Sequence, residues 1–175
     1  KKGKIKIYPK RFTKVLSGIL TNFIDWNISR QIVWGIRIPA WKCADCQEWT
    51  VTEGEEPAKC DKCGKSNLVQ DPDTFDTWFS SAQWPFVTLQ TAGKEVYDYF
   101  YPTTVMETGY DILRAWVARM IMIGFFATDK VPFKNIYLHG LIRDKHGQKM
   151  SKSKGNVINP LEKVKQFGAD AWRAS

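Results

Sequence analysis

TTVMETGYDILRAWVARMIMIGFFATDKVPFKNIYLH, residues 103–139, is the stretch whose reading decides the fold. Thr103 to Glu107 read as a short strand and Gly109 as the turn that ends it. From Asp111 the apolar residues Leu113, Trp116, Val117, Met120 and Ile121 recur at three and four, the period of a helix with one buried face, running to about Phe126. Asp111 stands where a short acceptor side chain can cap that helix. Lys134 to His139 form the next strand, and Gly140 to Arg143 continue it into a hairpin turn at Asp144-Lys145-His146-Gly147. A strand, a crossover helix and a strand predict an α/β fold with a parallel sheet, whose ligands lie beyond the carboxyl ends of its strands.

Downstream stands Lys149-Met150-Ser151-Lys152-Ser153, set between Gly147 and Gly155. Two ammonium groups and two hydroxyls on a loop suit the phosphates of a nucleoside triphosphate. A solvated basic loop has the same composition, so the pentapeptide alone leaves both readings open. Gly109-Tyr110-Asp111 puts a carboxylate at a sheet-edge crevice, suited to a ribose hydroxyl or an ammonium; His139 ends the next strand, and Gly140 lets another group approach its backbone. Taken singly, Asp111 also suits a helix cap and His139 a hydrogen-bonded core position. With the lysines they are expected to form the lip of one pocket. Asn159, Pro160 and Glu162 then start a helix that runs through Lys165.

Upstream, residues 4–8 alternate like a short edge strand that Pro9 ends. Phe12, Val15, Leu16, Ile19, Leu20, Phe23 and Ile24 follow as a helix with one apolar stripe, and Asp25 to Pro39 reads as a bend into a strand. Residues 41–70 are polar and turn-rich, a candidate satellite. They hold Cys43, Cys46, Cys60 and Cys63, two Cys-x2-Cys pairs separated by 13 residues. A hairpin can bring the pairs together as four sulfur ligands around Zn2+, which leaves no open position and predicts a structural role. An iron-sulfur centre or four reduced thiols fit a compact polar knuckle less well. Thr74 to Trp84 follow as a helix or loop bearing Trp78 and Trp84.

The 175 residues allow one domain plus a small satellite, and a formal charge of +8 favours polyanionic partners without identifying them. Ile112 to Phe126, the longest apolar candidate, is interrupted by Arg114 and Arg119, so no membrane span is expected. Lys1-Lys2-Gly3-Lys4 lacks the pattern of a secretory signal, and a cytoplasmic location is the default expectation. Asp170 to Arg173 read as the first turns of a helix cut at Ser175, as in an excerpt from a longer chain.

Four segments carry a specific resemblance. They are Ile28-Ser29-Arg30-Gln31 with Trp34-Gly35-Ile36-Arg37-Ile38-Pro39-Ala40-Trp41; Asp76-Thr77-Trp78-Phe79-Ser80-Ser81-Ala82; Thr108 to Leu113 with Trp116 to Met122; and Leu138-His139-Gly140-Leu141 through the Lys-Met-Ser-Lys-Ser loop to Pro160. Across essentially its whole length the chain resembles the class I aminoacyl-tRNA synthetases, most closely their valine-activating members. The resemblance implies the second half of a Rossmann-like catalytic domain with an inserted four-cysteine zinc knuckle: residues 1–40 following an editing insertion, 41–70 the knuckle, and 71–175 the half bearing the loop. The first half with its His-x-Gly-His signature, the editing domain and the anticodon-binding region would lie elsewhere.

The implied reaction joins valine to ATP, with Mg2+, as valyl-adenylate and passes the valyl group to tRNA(Val), in a parent expected to be monomeric. Lys149 and Lys152 would clamp phosphate, Lys152 foremost, with Ser151 and Ser153 as loop-positioning hydroxyls. Gly109 and Asp111 would lie near the ribose and amino acid, and His139, Gly140 and Leu141 near the adenosine, with Val157 by the base or simply in the core. Trp116, with Trp78 as companion, would wall the amino-acid pocket. Glu107-Thr108, Arg114-Ala115-Trp116 and Ile36 depart from the valine pattern. The competing expectations are an isoleucyl- or leucyl-tRNA synthetase fragment, or a non-catalytic zinc-knuckle module that binds RNA.

Overall fold

The computed structural model describes residues 4–174; Lys1-Lys2-Gly3 and Ser175 lie outside them. Two compact units divide the chain, one running to Leu138 and the other from His139.

In the first unit β1 (Lys6–Tyr8) leads into α1 (Phe12–Thr21). Leu16 is buried, with Phe12, Ile19, Leu20 and Phe23 packed against the same core. Val15 and Ile24, which the spacing assigns to this stripe, are instead 48% and 71% exposed. Val15 falls on the helix flank. Ile24 lies past the end, because the Asn22 amide and side chain both bond the Gly18 carbonyl and close the helix at Thr21.

The bend that follows yields only β2 (Ser29–Arg30). Then come β3 (Ala40–Cys43), β4 (Trp49–Val51) and β5 (Leu68–Gln70), an antiparallel sheet of their own in the order β4-β3-β5. β6 (Thr74–Phe75) pairs antiparallel with β2, Ser29 opposite Phe75. The chain therefore leaves and re-enters through a narrow stem. Phe75 N–H donates to the Ile36 carbonyl, Ile38 N–H to Asp73 and Asp71 N–H to Ala40. Gly35 has a φ of 155°, and a Cβ there would lie 2.9 Å from the Thr74 Cβ, so only glycine fits this approach.

Helices α2 (Thr77–Ser81), α3 (Trp84–Thr91) and α4 (Lys94–Phe100) precede β7 (Thr103–Gly109). The expected helix after β7 is less regular than its spacing. A 3-10 turn covers Tyr110–Ile112, a π-helical turn Leu113–Val117, and α5 runs Ala118–Thr128. Asp111 is thus inside the first turn, and Gly109 occupies the N-cap position. The wider π turn still buries Leu113 and Val117 and leaves Trp116 half-buried.

β8 (Phe133–His139) completes a sheet in the order β1-β8-β7, with β1 and β8 parallel from Lys6 opposite Asn135 to Tyr8 opposite Tyr137. Ile7, Phe133, Ile136 and Leu138 join Leu16, Leu113, Val117 and Met120 in one core. Tyr8, Tyr137 and Val105 remain exposed. The fold is mixed α/β with a parallel strand pair, as the sequence predicts.

In the second unit the strand does not continue through Arg143 as expected. It stops at His139, and Arg143 meets Lys149 in a single antiparallel bridge across the turn. A 3-10 turn follows at Lys152–Lys154, then α6 (Pro160–Phe167) and α7 (Ala169–Ala174). The Asn159 side chain accepts from Leu161 N–H at 3.1 Å and so caps α6, as its sequence position implies.

Candidate functional site

Cys43, Cys46, Cys60 and Cys63 bring their sulfurs within 4.8 Å of one another. Cys43 and Cys63 are 3.6 Å apart, as are Cys46 and Cys60. Four thiolates around zinc at ~2.3 Å give tetrahedral edges of about 3.8 Å, so the donor set fits that ion. The Cys63 and Lys62 amides pointing at the Cys60 sulfur lower that thiol to about 6. The Glu48 amide favours the Cys46 thiolate in the same way, but burial and the neighbouring Cys63, Cys60 and Cys43 sulfurs prevail and push it up to about 12. The Cys46 thiol thus resists ionising beside its neighbours, whereas a coordinated metal ion deprotonates a thiol outright.

A second constellation centres on Asp76, which is 6% exposed. Its carboxylate accepts from Trp78 N–H and Trp26 Nε1, both at 2.9 Å, and from Arg30 Nη2 at 2.5 Å. Arg119 stacks its guanidinium over the Trp26 ring at 4.0 Å. Burial pushes the Asp76 carboxyl up, but the Trp78 amide, the Trp26 indole and the Arg30 and Arg119 charges outweigh it and hold the group below its ordinary value. Asp76 thereby caps α2, which carries Trp78. At the other end of α2, Trp116 Nε1 donates to the Ser81 carbonyl at 3.0 Å. One short helix therefore ties together the two tryptophans expected to wall an amino-acid pocket. The expected anchor Trp84 is 62% exposed.

Gly109 is buried at the carboxyl end of β7, and Asp111 is exposed in the turn beyond it. His139 ends β8 and is exposed; its Nδ1 donates to the Gly140 carbonyl, which leaves Nε2 as the acceptor in neutral imidazole. Gly140 and Leu141 follow it into the second unit.

There the Lys-Met-Ser-Lys-Ser segment is an organised loop. The Ser151 hydroxyl accepts from Lys154 N–H and meets the Ser153 hydroxyl at 3.1 Å, while Gly155, at φ 66°, closes the 3-10 turn. Asn156 holds both ends. Its Oδ1 accepts from Ser151 N–H at 2.9 Å, and its Nδ2 donates to Asp144 Oδ2 at 2.8 Å and to the Lys149 carbonyl at 3.3 Å. Asp144 also accepts from the His146 and Gln148 amides, each at 2.9 Å. The Asn156 amide, foremost, and the Gln148 amide lower the Asp144 carboxyl, with lesser help from the His146 amide and Lys154. Lys149, Lys152, Ser153 and Val157 are exposed.

Sequence reasoning missed Asp76, Arg30, Trp26 and Arg119 as one cluster, and Asp144 with Asn156 as the loop's staple. The turn at Asp144 is legible locally, but its partner lies 12 residues away. A hollow of about 740 Å³ is lined by Ile5, Ile7, Leu16, Leu20, Ile121 and Phe125 and holds none of the expected site residues.

Comparison with known proteins gives these features a common context. The family model of class I tRNA synthetases (I, L, M and V) matches residues 1–175. The chain is 56% identical over 173 residues to a valine-tRNA ligase of Desulfotalea psychrophila, covering 98% of this chain and 19% of that protein. It is 53% identical over 174 residues to the valine-tRNA ligase of Clostridium acetobutylicum, covering 99% and 20%. The chain thus spans about a fifth of the length of these relatives. Among solved structures, the agnB2 LeuRS of Agrobacterium radiobacter K84, in a ternary complex with tRNA and LeuAMS, superposes with a TM-score of 0.70 at 25% identity, over 91% of this chain and 26% of that one. The methionyl-tRNA synthetase of Mycobacterium tuberculosis shares the fold, with a TM-score of 0.57 at 20% identity over 97% and 28%. Matched from end to end, the chain belongs to the class I tRNA synthetases of the I, L, M and V group.

Proposed function

We propose that this chain is part of a valine-tRNA ligase, which joins valine to ATP as valyl-adenylate and then passes the valyl group to tRNA(Val). The observation that carries the reading is identity above one half, over nearly every residue, with relatives bearing that name. In this reading the valine carboxylate attacks the α-phosphate of ATP and pyrophosphate leaves, a step that needs alignment and charge neutralisation more than a protein nucleophile. Lys149 and Lys152, exposed on a loop held by Ser151 and Asn156, neutralise phosphate charge alongside Mg2+. Gly109 and Asp111 receive the ribose and the amino acid; His139, Gly140 and Leu141 receive the adenosine. Trp116 and Trp78, joined through α2, bound the valine side chain. Zn2+ on Cys43, Cys46, Cys60 and Cys63 holds the knuckle together and has no part in the reaction. A small apolar pocket separates amino acids differing by one methylene by only about 1–3 kcal/mol, so valine selection would need more than these two rings.

The test is amino-acid-dependent ATP-pyrophosphate exchange by the full-length protein. Valine should support exchange far better than isoleucine or leucine, and Lys152→Ala should lower the rate by about 100-fold or more. Exchange driven by isoleucine, or a Lys152→Ala enzyme as fast as the parent, would overturn the reading.

A further inference from the structure

The two cysteine segments are structural copies of each other. In Cys43-Ala44-Asp45-Cys46-Gln47-Glu48 the Cys43 amide donates to the Glu48 carbonyl and the Gln47 amide returns to the Cys43 carbonyl, both at 2.9 Å. In Cys60-Asp61-Lys62-Cys63-Gly64-Lys65 the Cys60 amide donates to Lys65 at 2.8 Å and the Gly64 amide returns to Cys60 at 2.9 Å. Gln47 and Gly64, the fifth residue of each copy, share a left-handed φ of 62° and 73°. The third and sixth positions differ only in sign: Asp45 and Glu48 in the first copy, Lys62 and Lys65 in the second. They pair crosswise. Asp45, third, meets Lys65, sixth, at 3.0 Å; Glu48, sixth, meets Lys62, third, at 2.7 Å.

We propose that these crossed ion pairs form a clasp that sets the two knuckles in register and gathers the four sulfurs for zinc, so that Asp45, Glu48, Lys62 and Lys65 are positioning residues for capturing and retaining the metal. The inference rests on reading the four cysteines as a zinc site. An isolated exposed ion pair contributes little to stability. Here, however, two crosswise pairs act on one motion, the parting of one knuckle from the other. A simple field effect makes a different prediction. Four thiolates on Zn2+ carry a net negative charge, so the lysines alone would be helpful and the carboxylates harmful.

Zinc release to a chromogenic chelator, followed at low salt in the full-length protein, separates the two accounts. Glu48→Lys and Asp45→Lys add positive charge beside the cluster, so a field effect slows release. The clasp instead predicts release about three- to tenfold faster, at or below the ~10-fold lower bound of effects for groups hydrogen-bonded to metal ligands, since these pairs do not touch the sulfurs. The exchanged doubles, Glu48→Lys with Lys62→Glu and Asp45→Lys with Lys65→Asp, should return to within about twofold of the parent, and the single-variant effect should fade in 1 M salt as charges are screened. Slower or unchanged release in the single variants, or no recovery in the doubles, overturns the clasp. The same set is also assayed without metal, by the rate at which diamide oxidises Cys43 with Cys63 and Cys46 with Cys60 to disulfides. Like-charged variants should crosslink more slowly and exchanged doubles recover. If that holds while the parent binds no zinc, the clasp stands and the zinc reading falls; unchanged crosslinking rejects the clasp whatever the metal result.

Discussion

Asp76 carries a charge that burial disfavours and three donors restore. Asp76→Asn keeps its shape and removes the charge opposite Arg30 and Arg119. Loss of one partner from a buried ion pair destabilises by ~3–5 kcal/mol, and the partial exposure of Arg30 reduces this to about 1–3 kcal/mol at pH 7. Because the folded carboxyl is held below its ordinary value, its contribution is present above the unfolded value of ~3.9 and is lost as pH falls through the lower folded value. Urea unfolding of parent and variant should therefore differ at pH 7 and converge in acid. At this scale the sequence is uneven as a guide. The clustering of the four cysteines could be read directly, because each Cys-x2-Cys spacing already holds two sulfurs close and a hairpin joins the pairs. Asp76 could not, because its meaning depends on Trp26 and Arg30, some fifty residues earlier.

Among the elements, the loop between Arg143 and Asn156 is held by side chains at both ends. Asn156→Ala removes the acceptor for Ser151 N–H and the donors to Asp144 and Lys149. At a net ~1 kcal/mol per hydrogen bond, amide exchange at Ser151 should accelerate about fivefold or more, while α6, capped by Asn159, keeps its protection. The helix after β7 shows where periodicity misleads. Its apolar residues face the core as their spacing predicts, but the first turns are 3-10 and π, and Asp111 sits inside them. A three-four pattern records which face is buried; it does not record where the hydrogen-bond ladder widens by one residue. The early end of β8 has a similar cause, since the Asp144 turn bonds to its own neighbours and to Asn156 without requiring a continuous strand through Arg143.

For the molecule as a whole, the exposed side of the sheet is informative. Parallel strands are ordinarily covered on both faces, yet Tyr8, Val105 and Tyr137 remain open among the described residues, in keeping with a chain that spans about a fifth of its relatives' length. No helix of the described residues is long and apolar enough to cross a membrane. The knuckle has its own sheet and its own cluster of four cysteines, so on the proposed zinc reading a chelator should raise hydrogen exchange within residues 40–70 and leave β1, β8 and α5 protected, as mass spectrometry of the proteolysed protein would show. Exchange spreading evenly through the first unit would contradict this.

The stem formed by Ile36 to Ala40 and Asp71 to Phe75 has one more consequence. Since departure and return lie side by side, the thirty residues between them alter neither the span nor the direction of the chain on either side. Such a doorway lets lineages lengthen, shorten or discard the excursion as a cassette, so related chains lacking all four cysteines can keep the same scaffold beneath.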